Sequence, residues 1–174
     1  MRIYPYVGPA AIKEKVNMAT PRHEVTTADG LVKWALDAGY FSHGTPSEVF
    51  TYTVLPGHHL FIADRHSEHI ACARGSPVEC AGEIAFRRSK RGMVVEEASN
   101  LSTGYCPESS AWVALDLALK AAGFPGVQGF TAAFEFRYCH RCLQTCVIKD
   151  EVYECPACLQ LLPAEWNYAA GAPS

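Results

Sequence analysis

Two Cys-x-x-Cys knuckles, Cys139-His-Arg-Cys142 and Cys155-Pro-Ala-Cys158, stand twelve residues apart near the C-terminus. That spacing lets two tight turns bring four thiols around one point. Four sulfurs at roughly 2.3 Å from a common centre close a tetrahedron around a zinc ion, and a site closed in this way keeps no open position. Such a centre folds the chain instead of reacting with a substrate. Two unrelated thiol pairs or a redox disulfide are the competing readings, but a thioredoxin-like motif needs only one Cys-x-x-Cys beside a βαβ pattern.

The flanks agree with a metal module. Phe130-Thr-Ala-Ala-Phe-Glu-Phe-Arg-Tyr138 alternates aromatic and polar residues at the period of a half-buried strand and runs straight into Cys139. Cys146-Val-Ile-Lys-Asp-Glu-Val-Tyr153 reads as a hairpin turning at Lys149-Asp150 and delivers Cys155. Over residues 136 to 166 the chain resembles a zinc ribbon. The resemblance implies one structural zinc ion on Cys139, Cys142, Cys155 and Cys158, and it implies no particular partner. Cys146 and His140 lie within the same stretch as substitute ligands.

At 174 residues the chain has room for one core of about 130 residues plus a small metal module. The expected division is residues 1–128 as an α+β domain, 129–168 as the ribbon and 169–174 as a flexible tail. Apolar residues make up 49% and charged residues 19%, the balance of a globular chain and not a disordered one. A net charge of −3 supplies no general attraction to nucleic acid or to an anionic membrane. Residues 1 to 20 contain Arg2, Lys13, Glu14 and Lys15 and no continuous apolar run, so neither a secretory signal nor a membrane-spanning helix is expected. Eight cysteines without an export signal point to reduced thiols and a cytoplasmic location.

The N-terminal region opens with Gly8-Pro9 ahead of a short helix over Ala10 to Val16. A second helix follows, with Thr27 as cap, Asp29 in the first turn, Leu31, Trp34, Ala35 and Ala38 on one face, and Gly39 at its end. Ala19 to Glu24 and Gly39 to Ser47 read as loops. From Val49 the period becomes two. Residues 49–55, 60–63, 69–73, 78–86 and 93–97 form five candidate strands with short connections, hence an antiparallel meander. Beyond Pro107 a helix reaches Ala122, with Ala111, Trp112, Leu115, Ala118, Leu119 and Ala122 as an apolar stripe and Asp116 and Lys120 paired opposite. Gly123 and Pro125 close it. A Trp112→Ala change in a fully buried stripe costs about 3–5 kcal/mol. The expected fold is therefore α+β, a meander packed with helices, followed by the ribbon.

Cys106 stands at the expected cap of that helix, where unpaired N–H groups and the helix dipole would stabilise a thiolate. Asn100, Ser102, Thr103 and Gly104 precede it as donors for an oxyanion. A small apolar residue wedged under a helix is the plainer reading, since free cysteine is among the most buried residue types. Cys72 and Cys80 fall within strands and belong to the core.

Gly75 to Phe86, then Asn100-Leu-Ser-Thr-Gly-Tyr-Cys106 and Trp112, resemble the sheet and active-site loop of ubiquitin-conjugating enzymes over residues 49 to 122. In that family an asparagine ahead of the nucleophile stabilises an oxyanion while a thioester passes to an amine, so the resemblance gives those roles to Asn100 and Cys106. No His-Pro precedes Asn100, the family's Tyr-Pro-rich loop is missing, the Asn-to-Cys spacing is shorter, and one helix stands for several. The order of elements is also similar to circularly permuted papain-like hydrolases, with His69 opening a strand as base for Cys106 and Glu79 or Glu83 orienting it.

His58, His59, His66 and His69, with Asp64 and Glu68, form a second cluster that would suit a catalytic metal, or simply two solvated turns. Arg87-Arg-Ser-Lys-Arg91 is a basic hairpin tip whose flanking strands lack the interleaved aromatics that stack bases, so nucleic acid is not the expected partner. The favoured function is a zinc-stabilised binding or adaptor module with a protein partner and no membrane. The alternative is a thiol enzyme using Cys106, with His69 and Asn100, for acyl transfer or hydrolysis, with a ubiquitin-like protein as a candidate substrate.

Overall fold

Alternating apolar and polar residues from Ser47 onward produce paired strands because each turn between them is short and carries the conformations that tight hairpins need. A computed structural model describes residues 1–41, 46–90, 92–124 and 127–168. In it β2 (Ser47–Leu55) turns through Gly57 and His58, both at positive φ (90° and 64°), into β3 (His59–Asp64). β4 (Cys80–Ser89) and β5 (Gly92–Ala98) form a second antiparallel pair. A short strand, β1 (Arg22–Glu24), covers the free edge of β3. The sheet is antiparallel throughout, in the order β1-β3-β2-β4-β5.

The α+β class agrees with the sequence, but several elements differ from it, among them the strand expected over residues 130–138, which spans only Glu135–Cys139. Residues 22–24, expected in a loop, are β1, an edge strand too short for a period to register. Residues 69–73, expected as a strand, form the one-turn helix α3 (His69–Cys72), which ends with Arg74 and Gly75 at positive φ. A five-residue apolar run fits a buried strand and a buried helical turn equally well. The helix has a topological effect. It carries the chain over the sheet so that β4 pairs with β2, because the outer edge of β3 is already held by β1.

One face of the sheet presents Phe50, Tyr52, Val54, Ile62, Ile84 and Phe86, which share a buried cluster with Leu31 and Ala35 of α2 (Ala28–Asp37) and Leu115 and Leu119 of α4 (Trp112–Ala121). The opposite face lies under α3, where the Thr53 hydroxyl donates to Cys72 Sγ at 3.4 Å. Cys72 and Cys80 are both fully buried, as expected of core residues. The Thr27 hydroxyl caps α2 by accepting from Gly30 N–H at 3.0 Å, and Gly39 ends it at φ 85°. On α4 the Asp116–Lys120 pair closes at 2.6 Å. A short helix α1 (Ala10–Lys15) follows Pro9, which is its cap and not its first residue.

Trp112 departs from the fully buried stripe. It is only half-buried, with its ring edge-on to Phe130 at 5.1 Å. Trp112→Ala is therefore expected to cost about 1.5–2.5 kcal/mol, roughly half of a full core truncation. Urea unfolding checks this, and a loss above about 4 kcal/mol would mean that the ring is wholly enclosed.

Ser42 to Thr45, Arg91, Pro125 with Gly126, and the tail 169–174 lie outside the described residues, so the loop before β2, the last residue of the basic tip, the proline closing α4 and the tail are not described structurally.

Candidate metal centre

The C-terminal hairpin pairs β6 (Glu135–Cys139) with β7 (Gln144–Ile148), and the first knuckle is its turn. Leu143 N–H returns to the Cys139 carbonyl at 2.8 Å, with Leu143 at φ 59°. The second knuckle repeats this turn: Leu159 N–H reaches the Cys155 carbonyl at 2.8 Å, with Leu159 at φ 59°. In each, backbone N–H groups point at the first sulfur, from Cys142 and Arg141 to Cys139, and from Ala157 and Cys158 to Cys155. Donors of this kind favour a thiolate. At Cys139 they hold the thiol below its usual value; at Cys155 burial is the largest single influence and raises it, but these donors together with the Cys142 and Cys158 thiols bring it down to about 6. The connecting hairpin turns at Asp150 and Glu151, both at positive φ, between paired Lys149 and Val152. That is one residue beyond the turn expected from the sequence.

The four sulfurs converge. Cys139 and Cys158 are 3.5 Å apart, Cys142 and Cys155 3.4 Å, and all four Sγ atoms lie within 4.8 Å of one another. A tetrahedron with sulfurs at ~2.3 Å has edges of about 3.8 Å, so one ion of zinc's size fits between them with small adjustments. Ile148 and Leu162 are buried beside the cluster, with Tyr153 packed against it. His140 turns away, its ring edge-on to Tyr138 at 5.0 Å. Among the described residues no other group of three or more His, Cys, Asp or Glu converges in this way.

The histidine cluster separates accordingly. His58 Nδ1 pairs with the buried Glu79 carboxylate at 2.7 Å, and His59 Nδ1 with Glu24 at 2.8 Å. His66 only donates its backbone N–H to Asp64. Of the basic tip, Arg87 pairs with Glu96 at 3.0 Å.

The three candidate catalytic side chains are not joined to one another by any hydrogen bond in the described structure, and each has other partners. Cys106 is fully buried at φ 47°, its Sγ donating to the Thr103 carbonyl at 3.3 Å. Burial pushes its thiol up to about 12, against smaller opposing contributions from the Tyr168 and Thr145 hydroxyls beside it. The expected helix cap is not there: a 3₁₀ turn at Ser109–Ala111 leads into α4 at Trp112, and Cys106 N–H is already bonded to Ser102 O at 2.7 Å. Asn100 is fully buried; its amide donates to the Pro107 and Phe134 carbonyls and its oxygen accepts from Phe134 N–H, each at 2.7 Å. Gly82 permits this path, since a Cβ there would lie 2.0 Å from the Ser99 carbonyl. His69 opens a helix instead of the strand that a permuted papain-like site requires, and its Nε2 bonds the Gly82 carbonyl at 3.0 Å. Glu79 is engaged by His58, and Glu83 lines a separate cavity of about 290 Å³ with Arg65 and Glu97.

Burial brings His69 down from 6.5 to about 4, with the Gly82 bond opposing. The folded value lies below the unfolded one, so the neutral ring's contribution is complete above about 6.5 and is lost as pH falls through about 4. Wild type is expected to lose roughly 2–3 kcal/mol more than His69→Gln between neutral pH and pH ~4. Metal loss is common to both proteins and cancels in the difference. Parallel acid curves in urea unfolding would show that the ring stays hydrated.

Cys106 is the buried structural residue of the plainer reading, with partners that the sequence did not disclose. It joins Phe136, Tyr138 and Tyr168 in a third buried cluster, with Leu101, Phe134 and Trp166 against it. Trp166 Nε1 donates to the Cys106 carbonyl at 2.7 Å, and Asn167 clamps Tyr138, accepting from its N–H at 2.8 Å and donating to its carbonyl at 2.7 Å. Arg137, almost wholly buried, donates to the Pro163 and Ala164 carbonyls. The only sequence signal for this seam is the Trp166-Asn-Tyr168 triplet in an otherwise weakly patterned segment.

Comparisons with protein-family models, with curated proteins and with solved structures find no match. The likenesses to ubiquitin-conjugating enzymes and to permuted papain-like hydrolases therefore have no support beyond the residues themselves. No helix among the described residues is long and apolar enough to cross a membrane.

Proposed function

We propose that this chain is a protein-binding module closed by one structural zinc ion on Cys139, Cys142, Cys155 and Cys158. The convergence of the four sulfurs carries the reading, because a soft, tetrahedral donor set suits zinc and leaves no position for a substrate. None of the eight cysteines is in a disulfide, which fits a reducing, cytoplasmic setting. Leu159 and Leu161 are 70% and 74% exposed on the ribbon, and Leu143 and Val152 are exposed on it too, apolar side chains of the sort that partner proteins cover. A protein is favoured over nucleic acid because the net charge is −3 and the sheet's aromatics Phe50, Tyr52 and Phe86 are buried.

The module and the thiol enzyme differ in one reaction. Limiting iodoacetamide at neutral pH, applied to the zinc-loaded protein, is expected to leave Cys106 unmodified, since its thiol is enclosed and held far above the usual ~8.5. Peptide mapping that finds Cys106 modified first would restore the thiol enzyme in place of the binding module.

A further inference from the structure

The ribbon holds one more sulfur than a tetrahedron uses. Cys146 is on β7 at an inward position, flanked by exposed Thr145 and Val147, and is 4% exposed itself. Its Sγ lies 3.7 Å from Cys155 Sγ, with the thiol directed at that sulfur. Cys146 is not one of the four sulfurs that lie within 4.8 Å of one another, so it stands outside the tetrahedron at the Cys155 corner and would have to swing inward to reach an ion. Cys139, Cys155 and Cys146 belong to the same buried cluster, packed with Ile148 and Leu162.

We propose that Cys146 is a reserve ligand, which takes the corner of Cys155 when that sulfur leaves the ion. This rests on the four-thiolate zinc reading above. In the exchange the bond from zinc to Cys155 sulfur breaks and a bond from zinc to Cys146 sulfur forms. The proton on Cys146 passes to Cys155 along the existing S–H···S contact. Charge at the centre is unchanged, and no oxidant or reductant is needed. Cys158 has no such substitute among the described residues: its hydrogen-bonded sulfur neighbour is Cys139, already a ligand, and Cys146 stands beside the other cysteine of the knuckle, Cys155.

Two measurements on the full chain test the exchange. Zinc analysis of Cys155→Ala is expected to find about one zinc per chain, while Cys158→Ala and the double variant Cys155→Ala/Cys146→Ala hold little or none. Cobalt substitution of Cys155→Ala should keep the charge-transfer intensity of four thiolates. Equal loss of metal from Cys155→Ala and the double variant overturns the proposal. The second measurement uses Cys146→Ala, which keeps all four ligands and removes one buried sulfur, so it decides alone if Cys155→Ala does not fold. Transfer of zinc to an excess of a chelator is expected to be several-fold faster from Cys146→Ala than from wild type, and equal rates overturn the proposal. Wild type without zinc would overturn the four-thiolate reading itself, a result distinct from either of these.

Discussion

Cys139→Ser is expected to reduce zinc from about one per chain to below a tenth and to unfold the ribbon while the five-stranded sheet remains. A structural zinc site contributes about 10–16 kcal/mol of apparent binding free energy, and in a small module this is the folding free energy. Besides the cysteines, the buried cluster around the sulfurs contains only Ile148 and Leu162, with Tyr153 against it. That is too little apolar surface to hold the two knuckles and β7 in place without the ion, although β6 is also anchored through Phe136 and Tyr138. Removing one ligand opens the tetrahedron and leaves three thiolates beside one another. Trypsin then gains access to Arg141 and Lys149, on the exposed turns of the ribbon. Elemental analysis and limited proteolysis read the two halves of this result. Unchanged zinc, or a ribbon that stays protease-resistant without it, would exclude a folding role for the metal.

Asn100→Ala should lower stability by about 3–5 kcal/mol, although its side chain bonds the backbone of Pro107 and Phe134 and none of the four clustered cysteines. The side chain satisfies three backbone groups at once, the carbonyls of Pro107 and Phe134 and the N–H of Phe134. Buried groups left without partners cost roughly 1–3 kcal/mol each, not fully additively. For a chain of this size the midpoint should fall by about 10 °C. Asn100→Asp is expected to do no better, because a carboxylate keeps the shape but offers no donor to the two carbonyls. An oxyanion donor would behave in the opposite way: its loss would spare the fold and slow a reaction. Calorimetry separates them, and a melting midpoint within about 1 °C of wild type would refute the structural role.

The features legible in the sequence share one property: each is set by neighbours along the chain. The knuckles, the Thr27 cap, Gly39 at the end of α2 and the Asp116–Lys120 pair all depend on contacts within a few residues. The misread elements depend on distant partners. β1 exists because Arg22 to Glu24 lie along β3, and Ile70, Ala71 and Cys72 form a helical turn because it covers the sheet. Cys106 shows the same limit. Its neighbours Asn100, Ser102 and Pro107 read as a helix cap around a reactive thiol, while Phe136, Tyr138 and Tyr168, which enclose it, are thirty or more residues away.

Trp166 donates to the Cys106 carbonyl, and its ring meets Tyr4 edge-on at 5.8 Å, while Tyr4 itself pairs with Val78. Residues 4, 78, 106 and 166 thus form a single contact chain spanning nearly the whole length of the polypeptide. Contacts of such wide sequence separation form slowly, because loop-closure entropy is lost before any packing is gained. On the ribosome, the Tyr4 segment can pair with Val78 long before Trp166 emerges, but the packing of both is complete only once the second knuckle has been made. With the proposed zinc centre folding the ribbon, its closure would be the step that brings Trp166 back to the start of the chain. Metal supply during synthesis would then set how long the N-terminal segment waits, incompletely covered, for its last contact.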